Sequence, residues 1–229
     1  MHIITMDEYN KDDLKNIFNE IRQKRIPTVI KKGVNYFPNL YNWDKTYIIN
    51  KFGNNECNYT YDSRPAYSNL KCNYKDYFNI YHNNTYSFTR KTYDINDKHK
   101  FIDELHFPNP FFLKTNIDKY IFYSGPEYTG SLPHSHGEAL NLMVSGQKKW
   151  ILFDRNDIMG DRLQRDYYNN YGKHKLWIDW YNNEYENLKK SIKIVEYTQE
   201  PNDIIYIPYD YSHTVFNNKE TMGIIIEII

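Results

Sequence analysis

Residues 130–153 read Gly-Ser-Leu-Pro-His-Ser-His-Gly-Glu-Ala-Leu-Asn-Leu-Met-Val-Ser-Gly-Gln-Lys-Lys-Trp-Ile-Leu-Phe, and the fold turns on this stretch. It holds two short apolar runs, Leu142-Met143-Val144 and Trp150-Ile151-Leu152-Phe153, with Ser145 to Lys149 between them. Short apolar runs bounded by glycine and polar residues read as strands. The stretch opens with three side chains that bind metals, His134, His136 and Glu138, at alternate positions. Alternate side chains of an extended segment share a face, so all three would project the same way.

More strands lie on either side. Upstream, Lys119 to Gly125 is a strand ending in a turn; downstream, Ile192 to Tyr197, Ile204 to Ile207 and Met222 to Ile229 follow the same pattern. The last of these is almost wholly apolar, which predicts a central, buried strand. Residues 8–24 form a helical pattern, with Leu14, Ile17, Phe18 and Ile21 on one stripe. Pro27 is expected to end that helix, ahead of a short strand Thr28-Val29-Ile30 closed by Lys31-Lys32-Gly33. A second short helix is expected from Trp43 to Phe52, and residues 55–100 read as strands and long loops. Residues 155–190 interrupt the β pattern with a helical insert carrying Leu176, Trp177, Trp180, Tyr181 and Leu188. The insert is expected to overhang the barrel mouth, and an apolar face on it would suit a homodimer. Together these elements predict a mainly β protein: a double-stranded β-helix (jelly roll or cupin) with N-terminal and inserted helices. One domain is expected over residues 1–229, with residues 1–26 as its helical lead-in.

Composition narrows the function. Lys plus Arg and Asp plus Glu both number 29, so no basic field argues for a dedicated nucleic-acid module. The 24 tyrosines favour half-buried strand surfaces. Cys57 and Cys72 form no C-x-x-C pair, and two ordinary thiols are expected. No apolar run is long enough to span a bilayer. Met1 to Asp7 turns acidic too soon for a signal peptide, so a soluble cytoplasmic or nuclear protein is expected. The sequons at Asn58-Tyr59-Thr60 and Asn83-Asn84-Thr85 are then chance matches.

A third histidine, His213, lies 75 residues beyond Glu138. Two imidazoles and a carboxylate fill one face of an octahedron and leave three positions open, the arrangement of non-haem Fe(II) sites.

The text around these residues resembles the JmjC (cupin-like) 2-oxoglutarate oxygenases. Gly130-Ser131-Leu132-Pro133-His134, then Asn141, then Gly146 to Phe153 are similar to that family's first metal-binding block. Asn202 to Pro208, with His213 five residues after the proline and Asn217 four further on, is similar to its second. Thr28-Val29-Ile30 looks like an early strand of the family, so the resemblance covers roughly residues 27–229. It implies Fe(II) and 2-oxoglutarate as cofactors, with decarboxylation of 2-oxoglutarate to succinate coupled to hydroxylation of a C–H bond. Lys148 matches the lysine that pairs with the distal carboxylate of 2-oxoglutarate, Asn141 a residue near the cosubstrate, and Ser131 a hydroxyl that bonds it. Two ligand pairs remain open, His134-x-His136 and His136-x-Glu138. The preferred set is His136, Glu138 and His213, with His134 as a supporting or alternative ligand. Asn202 replaces the family's usual glycine, a mild change because asparagine tolerates positive φ. The substrate expected is a protein side chain or an RNA base; demethylation is less favoured, since no chromatin-reading module is present. The alternative is a cupin-like binding protein without turnover.

Overall fold

The computed structural model describes residues 1–63, 70–81, 85–92, 117–153 and 176–228. Eleven strands form one connected sheet: β1 (His2–Thr5), β2 (Thr28–Lys31), β3 (Glu56–Thr60), β4 (Leu70–Asn73), β5 (Tyr86–Thr92), β6 (Ile117–Gly125), β7 (Gly130–His134), β8 (Glu138–Phe153), β9 (Ile194–Gln199), β10 (Ile204–Ile207) and β11 (His213–Ile228). The main path runs β1-β2-β10-β8-β11-β6-β5-β3-β4, with β7 added to β11 and β9 to β8.

Two long antiparallel strands build the jelly roll. The first half of β8 pairs with β10 and its second half with β9. β11 mirrors this, pairing with β7 at its start and β6 at its end. Each strand therefore crosses from one sheet of the sandwich to the other. The crossing is a coordinated bulge. Gly146 sits at φ 94°, and opposite it the β8–β11 register shifts repeatedly between Asn217 and Gly223. Bulges bend and twist strands, which is how one strand serves two sheets. The two short strands expected around residues 145–149 are thus one strand of 16 residues, and the final strand begins at His213 rather than Met222. β11 lies between β8 and β6, the central position its apolar run predicts.

Each sheet carries helices on its outer face. Helix α1 (Lys11–Lys24) starts at Asn10, whose side chain accepts from the Asp12 and Asp13 amides, both at 3.0 Å. Arg25, left-handed at φ 52°, ends it two residues before Pro27. Its stripe of Leu14, Phe18 and Ile21 is buried against Leu140, Leu142, Tyr206, Ile224 and Ile226. Burial of each such side chain contributes about 1.5–3 kcal/mol. Helix α2 (Lys45–Phe52), capped by Asp44, adds Ile48 and Phe52 to the same core. A short helix α3 (Tyr74–Asp76) continues as a π turn over Tyr77–Tyr81.

The other sheet is covered by α4 (Trp177–Trp180), which runs through a π turn (Tyr181–Tyr185) into α5 (Glu186–Ser191). Trp177, Trp180 and Tyr185 are buried against Leu132, Ile151 and Phe153. These residues expected to overhang the mouth are instead packed on the barrel's back, because Ile151 and Phe153 alternate with the inward-facing Trp150 and Leu152. Residues 154–175 of the insert, and 64–69, 82–84 and 93–100 of the Tyr-rich stretch, lie outside the described residues.

Candidate metal centre

Cross-strand register defines what faces the space between the sheets, since directly opposed residues share a face. Val29, Trp150, Leu152, Ile205, Ile207 and Val215 make an apolar cluster there. In register with its members are His213 (opposite Leu152), Asn141 (opposite Ile205) and Ser131 (opposite Val215), while Lys148, two residues before Trp150 on the same strand, shares its face and lies opposite Asn217. Lys148, Asn141, Ser131 and His213 therefore all belong to the inner wall, and all are buried.

At one end of this wall three histidines meet. His134 closes β7, His136 stands in the following loop, and His213 opens β11 directly opposite His134. Ring centroids are 4.4 Å apart for His134 and His213, 4.8 Å for His136 and His213, and 5.5 Å for His134 and His136. One ring nitrogen from each lies within 4.8 Å of the other two. The loop is fixed from the turn after β10: the Asp210 amide donates to the His136 carbonyl at 2.9 Å, and the Ser135 hydroxyl to the Asp210 carboxylate at 3.0 Å. His213 also faces the Trp150 ring, whose indole N–H donates to Gln199 at 2.8 Å.

Backbone carbonyls anchor the Nδ1 side of all three rings. Nδ1 of His134 is 2.7 Å from the Leu132 carbonyl, Nδ1 of His136 2.7 Å from that of Gly137, and Nδ1 of His213 2.8 Å from that of Tyr211. A carbonyl oxygen only accepts, so each Nδ1 carries hydrogen and Nε2 is the nitrogen left to coordinate a metal. Burial, reinforced by His134 and His136, holds the His213 imidazole well below its ordinary pKa and hence neutral. Three imidazoles with carbonyl-anchored Nδ1 groups, each with Nε2 left to coordinate, could hold a divalent transition metal.

The structure does not bring Glu138 into this cluster. Glu138 has the parity of Leu140 and Leu142, whose side chains face α1 on the outer side of β8. There its carboxylate is gripped in a fork by Arg22, Nε to Oε1 at 2.5 Å and Nη2 to Oε2 at 2.6 Å. Of the expected set, His136 and His213 thus lie in a group that could hold a metal, together with His134, while Glu138 stands apart from it on Arg22. Gly137 lies outside any strand, so the alternation inferred across His134, His136 and Glu138 breaks at that residue.

Farther along the wall, Lys148 is 1 % exposed and its ammonium lies 3.6 Å from the centre of the Tyr123 ring. Among the described residues no carboxylate pairs with it. Burial drives its pKa well below the lysine range, as expected of a cation without a counter-ion. The Tyr123 hydroxyl lies 2.9 Å from Asn141 Oδ1, so one ring links Lys148 to Asn141. Gly223 makes room for it, since a Cβ there would come within 2.3 Å of that hydroxyl. Tyr123, Trp150 and Arg22 had no part in the sequence-derived site. Alternation along the Lys119–Gly125 strand offered a signal for Tyr123, whereas nothing in the sequence pointed to Arg22.

Fold and site together define a jelly-roll (cupin) barrel with an all-histidine cluster able to hold a metal, and a buried cation on the same wall. Among characterised proteins the chain is similar to the mouse (Mus musculus) protein named 2-oxoglutarate and iron-dependent oxygenase JMJD4, with 24 % identity over 185 residues. The match covers 72 % of this chain but 43 % of that relative, so the chain spans less than half the relative's length. No family model matches the chain. Among the described residues no helix is long and apolar enough to cross a membrane.

Proposed function

We propose that this protein is an Fe(II)- and 2-oxoglutarate-dependent oxygenase that hydroxylates a protein side chain or another macromolecule. The observation that carries the reading is the pairing, on one inner wall, of three convergent imidazoles with a buried lysine that has no carboxylate partner among the described residues. His134, His136 and His213 would hold the metal; Lys148 would meet the distal carboxylate of 2-oxoglutarate, with Asn141 and Ser131 beside it. Charge favours this set. Three uncharged imidazole ligands would leave a divalent ion its full charge, which a dianionic cosubstrate offsets, and the same dianion would supply a counter-ion to Lys148, which has none among the described residues. Spacing agrees as well: Asn217, opposite Lys148, is four residues along β11 from His213, roughly 13 Å of strand. A lysine side chain and a five-carbon dicarboxylate can fill that span between them.

When bound, iron and 2-oxoglutarate would supply the chemistry with dioxygen as oxidant, one of its oxygen atoms going to succinate on decarboxylation and the other to the hydroxylated product. The protein's residues bind, orient and keep dry. The Leu132, Gly137 and Tyr211 carbonyls fix the tautomer and direction of each imidazole, Trp150 and Val215 exclude water, and Tyr123 holds the Lys148 ammonium against its ring face.

Purified protein incubated with Fe(II), ascorbate and labelled 2-oxoglutarate should release labelled succinate, and mass analysis of treated cell extract should show a product with one added oxygen atom. Neither succinate above background nor iron-dependent 2-oxoglutarate binding would end this reading. The all-imidazole ligand set favours one alternative, a cupin-like metal-binding protein without turnover; iron-dependent 2-oxoglutarate binding with no succinate would establish it. Three histidines also suit catalytic zinc, so the metal retained after reconstitution is part of the same test.

A further inference from the structure

The two cysteines, 15 residues apart in sequence, are directly opposed in the antiparallel pair β3–β4, Cys57 against Cys72. Opposed residues of such a pair have Cα atoms about 4.5 or 5.5 Å apart, depending on whether they fall at a hydrogen-bonded position. Both values lie in the range that a disulfide spans. The pair is asymmetric. Cys57 is buried, with its sulfur 3.2 Å from the Ser87 hydroxyl, while Cys72 is half-buried on the outermost strand of the sheet. The thiols also interact directly. Hydrogen bonding from Cys57 draws Cys72 below the usual thiol range, and burial pushes Cys57 above it.

We propose that Cys57 and Cys72 form a reversible cross-strand disulfide with a low-molecular-weight disulfide as oxidant, Cys72 meeting the oxidant and Cys57 closing the bridge. In the first step the Cys72 thiolate attacks one sulfur of the small disulfide, forming a mixed disulfide and expelling one small thiolate. In the second, Cys57 gives up its proton and attacks the Cys72 sulfur, expelling the second small thiol. The two protein thiols are oxidised by two electrons, the small disulfide is reduced to two thiols, and the protons end on those leaving groups. The bridge ties the edge strand β4 to β3, and through the β3–β5 and β5–β6 pairings to the wall that carries Tyr123. Neither the pairing nor the chemistry rests on the metal centre.

The test uses the full chain, reduced and then equilibrated with glutathione disulfide at graded ratios to glutathione. Intact mass should fall by two hydrogens and recover with dithiothreitol, and non-reducing peptide mapping should join the Cys57 and Cys72 peptides. The bridge should raise the thermal midpoint by roughly 5–10 °C, as expected for a loop of this length in a chain of this size. Cys57→Ser should trap one glutathione on Cys72, and Cys72→Ser should leave Cys57 unmodified. Wild-type protein that stays reduced, carries only glutathione adducts or forms intermolecular dimers, at a ratio that modifies Cys57→Ser, overturns the proposal. If Cys57→Ser does not fold, the wild-type peptide map decides alone.

Discussion

A metal centre made of three imidazoles depends on where each lone pair points. Here the Leu132, Gly137 and Tyr211 carbonyls decide that, each by occupying an Nδ1. His213→Ala should therefore lower iron affinity at least tenfold in a calorimetric titration, without a matching loss of helix and strand signal. Glu138→Gln should leave iron affinity near wild type, because its carboxylate belongs to Arg22. It should instead lower stability by about 1–3 kcal/mol in denaturant unfolding, since a part-buried, charge-assisted fork is lost. A fall in metal affinity in that variant would restore the carboxylate to the ligand set. Lys148 behaves oppositely to most buried residues. With no carboxylate partner among the described residues it should cost stability in the protein alone, so Lys148→Met should abolish 2-oxoglutarate binding while leaving the unfolding free energy unchanged or about 1 kcal/mol higher.

The long strands β8 and β11 are the elements on which the site depends. Each must bend as it passes between sheets, and Gly146 is where β8 does so. A Cβ there would meet the Glu220 carbonyl at 2.1 Å, on a backbone at φ 94°. Gly146→Ala should cost about 1–3 kcal/mol in denaturant unfolding. It should also weaken 2-oxoglutarate binding, because Lys148 lies two residues beyond the bulge. α1 plays a supporting part through Asn10, and Asn10→Ala should cost about 1 kcal/mol with no effect on iron affinity. These devices differ in how visible they are in the sequence. The stripe Leu14–Phe18–Ile21 and the apolar end of β11 announce themselves by period. A bulge does not, because Ser145 to Lys149 has the composition of a turn and only the pairing with β11 shows that the strand continues.

For the molecule as a whole, ligand binding and stability are linked. Iron with 2-oxoglutarate, each at about a hundredfold over its dissociation constant, should raise the thermal midpoint by roughly 10–20 °C, and a chelator should reverse the shift. Iron alone should give part of it and 2-oxoglutarate alone little, if the metal cluster and Lys148 hold the two ends of one ligand. A midpoint that ignores both would remove the cofactor reading. The aromatic cluster of Trp177, Trp180 and Tyr185 closes the barrel's back, so its role is first of all packing.

Local patterns in the sequence were enough to determine the first helix, most of the strands, the buried central strand, and which stretches carry His134, His136, His213 and Lys148, because period and residue type are local properties; the helical turns over residues 74–81 lay in a stretch that read as strands and loops. Tertiary structure alone decided which of these meet. Glu138 was separated from the histidines by a break in alternation at Gly137, and Arg22 came to it from a helix 116 residues away. Cys57 and Cys72, unremarkable as a spacing, became neighbours through strand register. Pairing across strands is set by the global path of the chain, and no window of sequence contains it.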